Sequence, residues 1–299
     1  MIRLRSPRFG RSPQIRRIQI TARDREIVAL VARHRFLRST HITALLGTLS
    51  QQISRRLQLL YHHGYLERPR AQLEYFYRGG SSHMVYGLGT KGAALLRDAA
   101  SDSCGESNWS AKNRVVGRIF LQHALLVSDV LVAAELACRE RDGVRFIPQH
   151  ELFAESIRWH VKTNGERKRS VIPDAAFALE RTAPDGSTER ANFFLEADRG
   201  TTPITRTNPA QSSFRRKFLA YEATWAQGIH QRQFGLHRFR VLTVGTSAAR
   251  LKALRAECSK LQSGKGLFFF LHKDALANPA SLLDAVWTSP QSLQPVSLL

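Results

Sequence analysis

The chain is 299 residues long, and its hydrophobic content of 43% is that of a globular protein rather than of a disordered tail. It holds 45 Lys and Arg against 24 Asp and Glu, a net charge of +21, which favours a polyanionic partner. Residues 1–98 carry 18 of the basic and only 5 of the acidic residues, a net charge of +13. A genomic bias toward Arg codons is the alternative explanation, but it does not predict this uneven distribution.

Cysteine usage and hydropathy indicate the cellular compartment. Cys104, Cys138 and Cys258 are far apart and lack CxxC spacing, which excludes a disulfide framework and a zinc finger. The best apolar run, residues 124–138, is interrupted by one serine and two acids, so we expect no membrane span. The first residues lack an apolar signal core. We therefore expect a cytoplasmic, nucleoid-associated protein.

Residues 1–20 contain no acid and repeat the tripeptide Arg-Ser-Pro. Proline disfavours a helix there, so the segment is predicted to be a basic flexible arm. Arg16 and Arg17 would lie along phosphates or in a minor groove. The alternative is a solvated leader without a role.

A domain of three short helices and a hairpin is predicted over residues 21–98. Thr21 and Asp24 have the spacing of a capping box that opens the first helix. A second helix begins at Ser39 or Thr40 and ends at Gly47, and a third runs from Ser50 to a stop at Gly64. Short helices joined by tight turns are typical of a helix-turn-helix.

The outward face of the third helix is the candidate DNA-reading surface. It carries Gln51, Gln52, Arg55, Arg56 and Gln58, side chains that recognise adenine, guanine and phosphates in a major groove. A merely solvated face is the alternative. Such a face usually includes acids, and none occurs between Glu26 and Glu67.

Strands are predicted next, at residues 65–68, 73–78 and 83–88, with a Gly-Gly-Ser-Ser turn before the last. Such a pair after a recognition helix forms the wing of a winged helix-turn-helix. Arg68, Arg70 and Arg78 would lie on or near this wing and contact the DNA backbone. A further helix follows, beginning near Gly92.

Residues 99–113 are small, polar and turn-prone, which predicts a linker to a second domain at 114–299. Hydrophobic patterning there predicts the order α-β-β-β-α-β-α-β, an α/β or α+β domain around a mixed sheet. The predicted helices cover 115–139, 212–227 and 247–261. Besides a short strand at 144–148, the predicted strands cover 151–161, 170–179, 192–198, 239–244 and 267–271.

Four carboxylates fall on or beside these predicted strands: Glu151, Asp174, Glu196 and Asp198. Residues 196 and 198 share one face of a strand, and Asp174 could meet them from a neighbouring strand. Converging carboxylates favour Mg²⁺, which could activate water against a phosphodiester. The sequence thus predicts a magnesium site with these four ligands, conditional on their convergence.

The Pro-Asp at 173–174 and the Glu-Ala-Asp at 196–198 resemble the motif of the PD-(D/E)xK nuclease fold. Over about residues 20–245, the chain also resembles the replication-relaxation family of plasmid and mobile-element proteins. The segments that carry the family resemblance are 21–24, 55–57, 64–66, 85–88, 172–174 and 194–201. The resemblance implies DNA binding and a role in plasmid replication or DNA relaxation.

The nuclease motif has a lysine where this chain has Asp198. Arg199 is adjacent but points to the opposite face of a regular strand. Lys217, on the following helix, could take the lysine's place, so Asp174, Glu196 and Lys217 are the candidate catalytic residues. The alternative is a nuclease-like shell that only binds or dimerises, its acids capping turns or pairing with Arg199 and Arg206.

These observations leave two functions open. One is a DNA-binding protein whose C-terminal domain is a Mg²⁺-dependent nuclease or nickase. The other is a winged-helix transcriptional regulator or replication accessory protein without enzymatic activity or a metal. For both, the expected partners are double-stranded DNA and plasmid replication proteins, with a homodimer as an open alternative and no membrane.

Overall fold

The computed structural model describes residues 8–12, 17–73, 83–100, 108–155, 157–163, 167–208, 211–284, 286–292 and 294–299. The chain divides into two compact units, residues 1–128 and 129–299, each treated separately below. Their mixture of helices and mixed sheets gives the α+β class that the sequence predicts. The division lies later in the chain than the predicted linker at 99–113.

The N-terminal unit is built from short elements around a small sheet. Its helices are α1 (Ala22–His34), α2 (Ser39–Leu46), α3 (Ser50–His63), α4 (Thr90–Ala100), α5 (Trp109–Arg114) and the first part of α6 (Arg118–Arg139). Its strands are β1 (Phe36–Arg38), β2 (Leu66–Glu67) and β3 (Val85–Leu88). The strands form an antiparallel sheet in the order β1-β3-β2.

Local sequence explains where the first helices begin and end. The capping box of Thr21 and Asp24 is confirmed: the Thr21 side chain accepts from the Asp24 backbone, and the Thr21 backbone N–H donates to the Asp24 carboxylate at 2.8 Å. Gly47 and Gly64 end α2 and α3 with positive φ of 59° and 85°. This backbone region favours glycine, so both stops are those predicted.

The order helix, strand, helix, helix, strand, strand is the one that a winged helix requires. Strand β1, which the sequence analysis did not predict, pairs with β3 from Phe36↔Gly87 to Arg38↔Val85. The predicted strand at 73–78 and the turn at 79–82 lie almost wholly outside the described residues. The winged-helix assignment therefore stays a prediction.

Part of the predicted flexible arm packs against the N-terminal unit. Arg11 donates to the Glu67 carboxylate at 2.9 Å and to the Tyr61 carbonyl oxygen at 3.2 Å. The Arg8 carbonyl oxygen accepts from Arg68 at 2.8 Å. Residues 8–12 thus differ from the prediction, because Glu67 and the end of α3 offer partners that a sequence pattern cannot place.

The first part of α6 belongs to the N-terminal unit, whereas the sequence assigned the whole helix to the second domain. Leu121, Ala124 and Leu125 pack in one cluster with Phe36. Ser128 donates to the Phe36 carbonyl oxygen at 2.8 Å. The predicted linker also differs at its end, where residues 109–113 belong to α5.

The C-terminal unit contains a five-stranded mixed sheet in the order β10-β9-β8-β7-β4. Strands β8 to β10 are parallel to one another, and β7 and β4 continue the sheet antiparallel. The strands are β4 (Val144–Pro148), β5 (Trp159–Thr163), β6 (Arg167–Val171), β7 (Ala175–Thr182), β8 (Thr188–Asp198), β9 (Arg240–Gly245) and β10 (Phe268–His272). The helices, besides the rest of α6, are α7 (Gln149–Leu152), α8 (Phe214–Ala226), α9 (Ile229–Phe234) and α10 (Ala248–Cys258).

Two predicted strands are wrong in their extent. Residues 149–152 form α7 rather than the start of a strand at 151–161, and β5 begins only at Trp159. The predicted strand 170–179 is two strands, because Pro173 separates β6 from β7. Glu151 therefore lies on helix α7, and Asp174 lies directly before the first residue of β7.

One face of the large sheet is covered by an aromatic core. The Trp159 indole donates to Thr224 of α8 at 2.8 Å, and its ring lies 5.0 Å from the Phe194 ring of β8. Phe218 and Tyr221 of α8 are 2% and 0% exposed. Aromatic burial of this extent stabilises the fold and fixes the position of α8 over β8.

Among the described residues, α6 alone is long and apolar enough to cross a membrane by length and composition. Half of its most apolar window is buried inside the protein. Core helices of soluble proteins have the same character, so the helix is weak evidence for a membrane span.

Candidate functional site

Asp174 and Glu196 lie opposite each other where β7 begins and β8 ends. The register pairs Ala175 with Leu195, so the next pair outward is Asp174 with Glu196. The Asp174 backbone N–H donates to the Leu195 carbonyl oxygen at 3.0 Å, and its Oδ2 accepts from the Ala197 N–H at 2.7 Å. Strand pairing thus holds both carboxylates at one end of the sheet.

Helix α8 brings two polar side chains to Glu196. Lys217 and Tyr221 are four residues apart and therefore share a helix face. The Tyr221 hydroxyl donates to Glu196 Oε1 at 2.7 Å, and the Lys217 ammonium group forms an ion pair with Oε2. The Glu196 residue is only 2% exposed, so its carboxylate is held in a protein environment rather than in water.

Burial and the charges of neighbouring groups both shift the pKa values in this cluster. Burial raises the pKa of Glu196, as does the nearby Asp174 charge, while Lys217 counteracts part of that rise. Burial lowers the pKa of Lys217, but the charges of Glu196 and Asp174 outweigh it and raise this pKa. Burial and Glu196 also raise the pKa of Tyr221 well above its ordinary value. Lys217 is therefore a cation and Tyr221 a neutral donor near neutral pH.

A cavity of about 280 Å³ opens beside this cluster. Arg169 of β6 and Arg216 of α8 add two positive charges to its wall. The residues that line it are Arg169, Ser170, Val171, Ile172, Glu196, Ser212, Ser213, Arg216, Lys217 and Ala220. A cavity with three cations and a single lining carboxylate suits an anionic group such as a phosphate.

Asp198, predicted as a metal ligand, is engaged elsewhere. Its carboxylate forms an ion pair with Arg250 of α10 and accepts from the Gly200 N–H at 2.9 Å. Arg250 Nη2 donates a further bond to Asp198 at 3.1 Å. The prediction for Asp198 is corrected accordingly: β9 lies parallel beside β8, and the helix that follows β9 brings Arg250 to this carboxylate.

Glu151 is not part of the cluster either. It lies on α7, with its side chain 44% exposed, and it pairs with Arg145 at 3.1 Å. Within the described part of the chain, no group of three or more His, Cys, Asp and Glu is placed to hold a metal ion. The predicted four-ligand set therefore reduces to the pair Asp174 and Glu196.

Two carboxylates are a sufficient protein contribution for Mg²⁺, which usually keeps several waters and takes substrate phosphate as further ligands. Asp174 and Glu196 supply the hard oxygen donors that this ion requires. Both Glu196 oxygens already accept a hydrogen bond or an ion pair, so a metal bound there would share or replace the Lys217 or Tyr221 contact. Asp174 and Glu196 could therefore hold Mg²⁺ between them, whereas the predicted set of four carboxylates could not.

The predicted face of α3 is exposed at four of its five positions, Gln51, Gln52, Arg55 and Gln58. On the opposite face, Ile53 and Leu57 are 1% and 0% exposed. Arg56 is the exception and is corrected. Its guanidinium group forms an ion pair with the fully buried Asp24, with Nε donating at 2.8 Å.

Arg68, predicted on the wing, is also corrected, because it is only 7% exposed. Its guanidinium group lies 4.2 Å from the ring centre of Tyr61 and 5.3 Å from that of Tyr86. These contacts and the bond to Arg8 make it a packing residue of the N-terminal unit. Arg70 and Arg17 are exposed, as their predicted role requires. Arg16 and Arg78 lie outside the described residues.

Tyr221 and Arg250 contact the predicted acids although neither was among the predicted site residues. The i, i+4 spacing of Tyr221 from Lys217 was a usable signal, because both side chains had to face the same strand. Arg250 had no such signal, since its partner Asp198 is 52 residues earlier in the chain. The alternative pairing of the acids with Arg199 or Arg206 is not the one observed for Glu196, which pairs with Lys217.

Comparison with known proteins gives one family. The sequence profile described as replication-relaxation matches residues 28–238, which is more than half of the chain and includes α3, Asp174, Glu196 and Lys217. No curated protein and no solved structure matches the chain. On the extent of the profile match, the chain belongs to the replication-relaxation family.

Proposed function

We propose that the protein binds duplex DNA through the exposed face of α3 and acts in the replication or processing of plasmid or mobile-element DNA. Family membership supports a role in replication or mobile-element DNA processing. The observation that carries DNA binding is the exposure of Gln51, Gln52 and Arg55 on a helix whose other face is buried.

The chemistry of this face suits a major groove. Glutamine makes paired hydrogen bonds to adenine, and arginine to guanine or to phosphate. No acid occurs from residue 27 to residue 66, so nothing on α3 repels the phosphates. The net charge of +13 on residues 1–98 adds long-range attraction that weakens with salt.

Fluorescence anisotropy with labelled duplex DNA tests the proposal. We expect Arg55→Ala to weaken binding about tenfold. The matched control is Arg232→Ala, which removes the same charge from an exposed position on α9 in the other unit. Equal affinity of the Arg55 variant and the wild type at several salt concentrations would reject α3 as the reading helix.

A second function, metal-dependent nicking of DNA, is favoured by Glu196 and Lys217, which line one cavity, and by Asp174, which lies beside Glu196 and acts on its charge. When bound, Mg²⁺ would lower the pKa of a water and neutralise charge on the phosphate. Asp174 and Glu196 would hold the ion, and Tyr221 orients the Glu196 carboxylate. Lys217 keeps its proton and offers a positive charge to a phosphate oxygen, as Arg216 and Arg169 do at the cavity wall.

A supercoiled plasmid incubated with Mg²⁺ or Mn²⁺ tests nicking. The variant Asp174→Asn with Glu196→Gln keeps the shape of both side chains, so loss of nicking would report lost charge rather than misfolding. Metal-dependent nicking by the wild type that this variant lacks would establish the activity.

Intact supercoils with both proteins, while both still shift the plasmid in a gel, would instead support a catalytically inactive nuclease-like scaffold. That alternative rests on the engagement of Asp198 with Arg250 and of both Glu196 oxygens. On it, the protein is a regulator or a replication accessory protein that recruits plasmid replication proteins. A homodimer on a palindromic site is the matching assembly.

A further inference from the structure

A basic cavity of about 740 Å³ lies in the N-terminal unit, formed by the C-terminal end of α3 together with α4 and α5. Four permanently charged side chains line it: Arg11, Lys91, Arg97 and Arg114. No Asp or Glu is among its described lining residues. A cavity of this volume is within the range of small-ligand sites.

The cations are held close together by the fold. A side chain begun at Gly64 would lie 3.6 Å from Arg11 Nη1 and 3.8 Å from Lys91 Cδ, so these two cations flank the same backbone point. Arg11 and Arg114 both bind the buried Glu67, at 2.9 Å and 3.0 Å. One carboxylate thus fixes two guanidinium groups at the cavity and neutralises only one of them.

His62 supplies an observation of a different kind. The side chain is among the buried residues, at 8% exposed, and Nδ1 accepts from the Ser12 backbone N–H at 3.1 Å. Burial and the neighbouring cations lower the pKa of His62, so the ring is neutral and its proton is on Nε2. Within the described part of the chain, Nε2 has no hydrogen-bond partner. A buried donor without an acceptor is costly unless a ligand supplies the acceptor.

This cavity is separate from the α3 face assigned to DNA. His62 comes seven residues after Arg55 on the same helix, which at a rise of about 1.5 Å per residue is roughly 10 Å along the axis. The cavity therefore extends the chemistry of the N-terminal unit beyond the proposed reading face.

We propose that the cavity binds a phosphate-rich anion, of the class of a nucleoside diphosphate or triphosphate. Arg11, Lys91, Arg97 and Arg114 neutralise its charge, and His62, whose ring lines the cavity, turns its buried Nε2–H toward one of the anion's oxygens. Guanidinium and ammonium groups are the side chains that recognise phosphate, and three or four of them match the charge of a polyphosphate. Phosphates at the end or along the backbone of DNA share this chemistry and are the second source.

Calorimetric titration of the full chain with pyrophosphate tests the proposal. We expect saturable 1:1 binding that weakens about tenfold in a Lys91→Gln, Arg97→Gln variant, because each removes a charged donor. Lys112→Gln is the matched control, since Lys112 lies on α5 but does not line the cavity. Absence of saturable binding, or equal loss in the control, would overturn the proposal.

Two further measurements sharpen it. The NMR signal of His62 Nε2–H should shift on addition of pyrophosphate in the wild type, and no shift at saturation would overturn the assignment of this donor. Duplex DNA added to the pyrophosphate complex separates the two sources. Displacement would identify DNA phosphate as the ligand, whereas retained pyrophosphate and tighter binding of a nucleoside triphosphate would identify a free nucleotide. Failure of α3 in DNA binding would leave the pyrophosphate titration readable, because that titration contains no DNA.

Discussion

The Lys217 ammonium group binds the Glu196 carboxylate from the helix that follows the strand, not from the strand itself. In the nuclease motif that the sequence resembles, the lysine stands two residues after the acid, where this chain has Asp198. The aromatic core that fixes α8 over β8 makes the exchange feasible, because it places a lysine of one element beside an acid of the other. The pair is thus a product of packing rather than of a local motif.

Breaking this pair should destabilise the protein in a pH-dependent manner. Lys217→Met leaves Glu196 buried without a counter-charge, which we expect to lower the free energy of unfolding near neutral pH by about 2 kcal/mol. The figure is below that for a fully buried pair because the Lys217 side chain is 33% exposed. Urea denaturation of the variant and the wild type measures the difference.

The sign of the pH dependence follows from Glu196. Its pKa in the folded state is raised above the unfolded value, so the folded state binds the proton more tightly. The free energy of unfolding therefore falls as the pH rises through the folded-state pKa, and the fall extends to higher pH in Lys217→Met, because the lost ammonium group no longer lowers this pKa. The double variant Glu196→Gln, Lys217→Met should lose this slope. A fall over the same pH range in Lys217→Met and the wild type would contradict the buried pair.

Adjacent arginines on α3 should have opposite phenotypes. Arg56→Ala removes the partner of the fully buried Asp24 and should cost about 2–3 kcal/mol of stability. Arg55→Ala removes an exposed side chain and should change stability by less than about 0.5 kcal/mol while weakening DNA binding. Thermal or urea unfolding, combined with anisotropy on labelled duplex, separates the two effects.

Acid titration gives a second readout of the Asp24 ion pair. Burial acts to raise the pKa of Asp24, but the bonds from Arg56 and Thr21 outweigh it and lower this pKa below 3.8. The stability from this group is complete above the unfolded pKa and is lost as the pH falls through the folded pKa. Arg56→Ala should therefore reduce the loss of stability on acidification. An unchanged acid dependence would show that Asp24 does not need Arg56.

Sequence patterns located the elements better than the partners of the side chains. The capping box at Thr21, the stop at Gly64 and the order of the main strands follow from local chemistry and periodicity, so they could be predicted. Arg56 and Arg68 could not be assigned correctly, because their partners Asp24 and Tyr61 meet them only after the helices pack. The same holds for the candidate site: a pattern of acids identified Asp174 and Glu196, but only strand register and α10 show that Asp198 belongs to Arg250.

Asp198 should act as a structural residue. Asp198→Asn leaves the Arg250 guanidinium group, whose side chain is 19% exposed, with a neutral partner. We expect a loss of about 1–2 kcal/mol in unfolding free energy. Any metal-dependent nicking of supercoiled plasmid by the wild type should persist in this variant at temperatures where it is folded. Abolished nicking at unchanged stability would instead make Asp198 a metal ligand.

The glycine at position 89 should be essential for the N-terminal unit because the backbone of another segment lies against it. A Cβ there would be 2.3 Å from the Gly64 carbonyl oxygen and 2.8 Å from the Tyr65 carbonyl carbon. The Gly89 N–H also donates to the Tyr65 carbonyl oxygen at 2.9 Å, so the two segments cannot separate without losing this bond. Gly89→Ala should therefore cost about 3 kcal/mol or more.

Circular dichroism during thermal unfolding measures this cost, and Gly117→Ala is the control. Gly117 lies in the same unit, and a Cβ there would meet nothing within 4 Å. Its replacement should change stability by less than about 1 kcal/mol. Because the contact joins the end of α3 to the start of α4, Gly89→Ala should also weaken pyrophosphate binding in the basic cavity. A stable Gly89→Ala protein would mean that the Gly64–Gly89 approach does not hold these helices together.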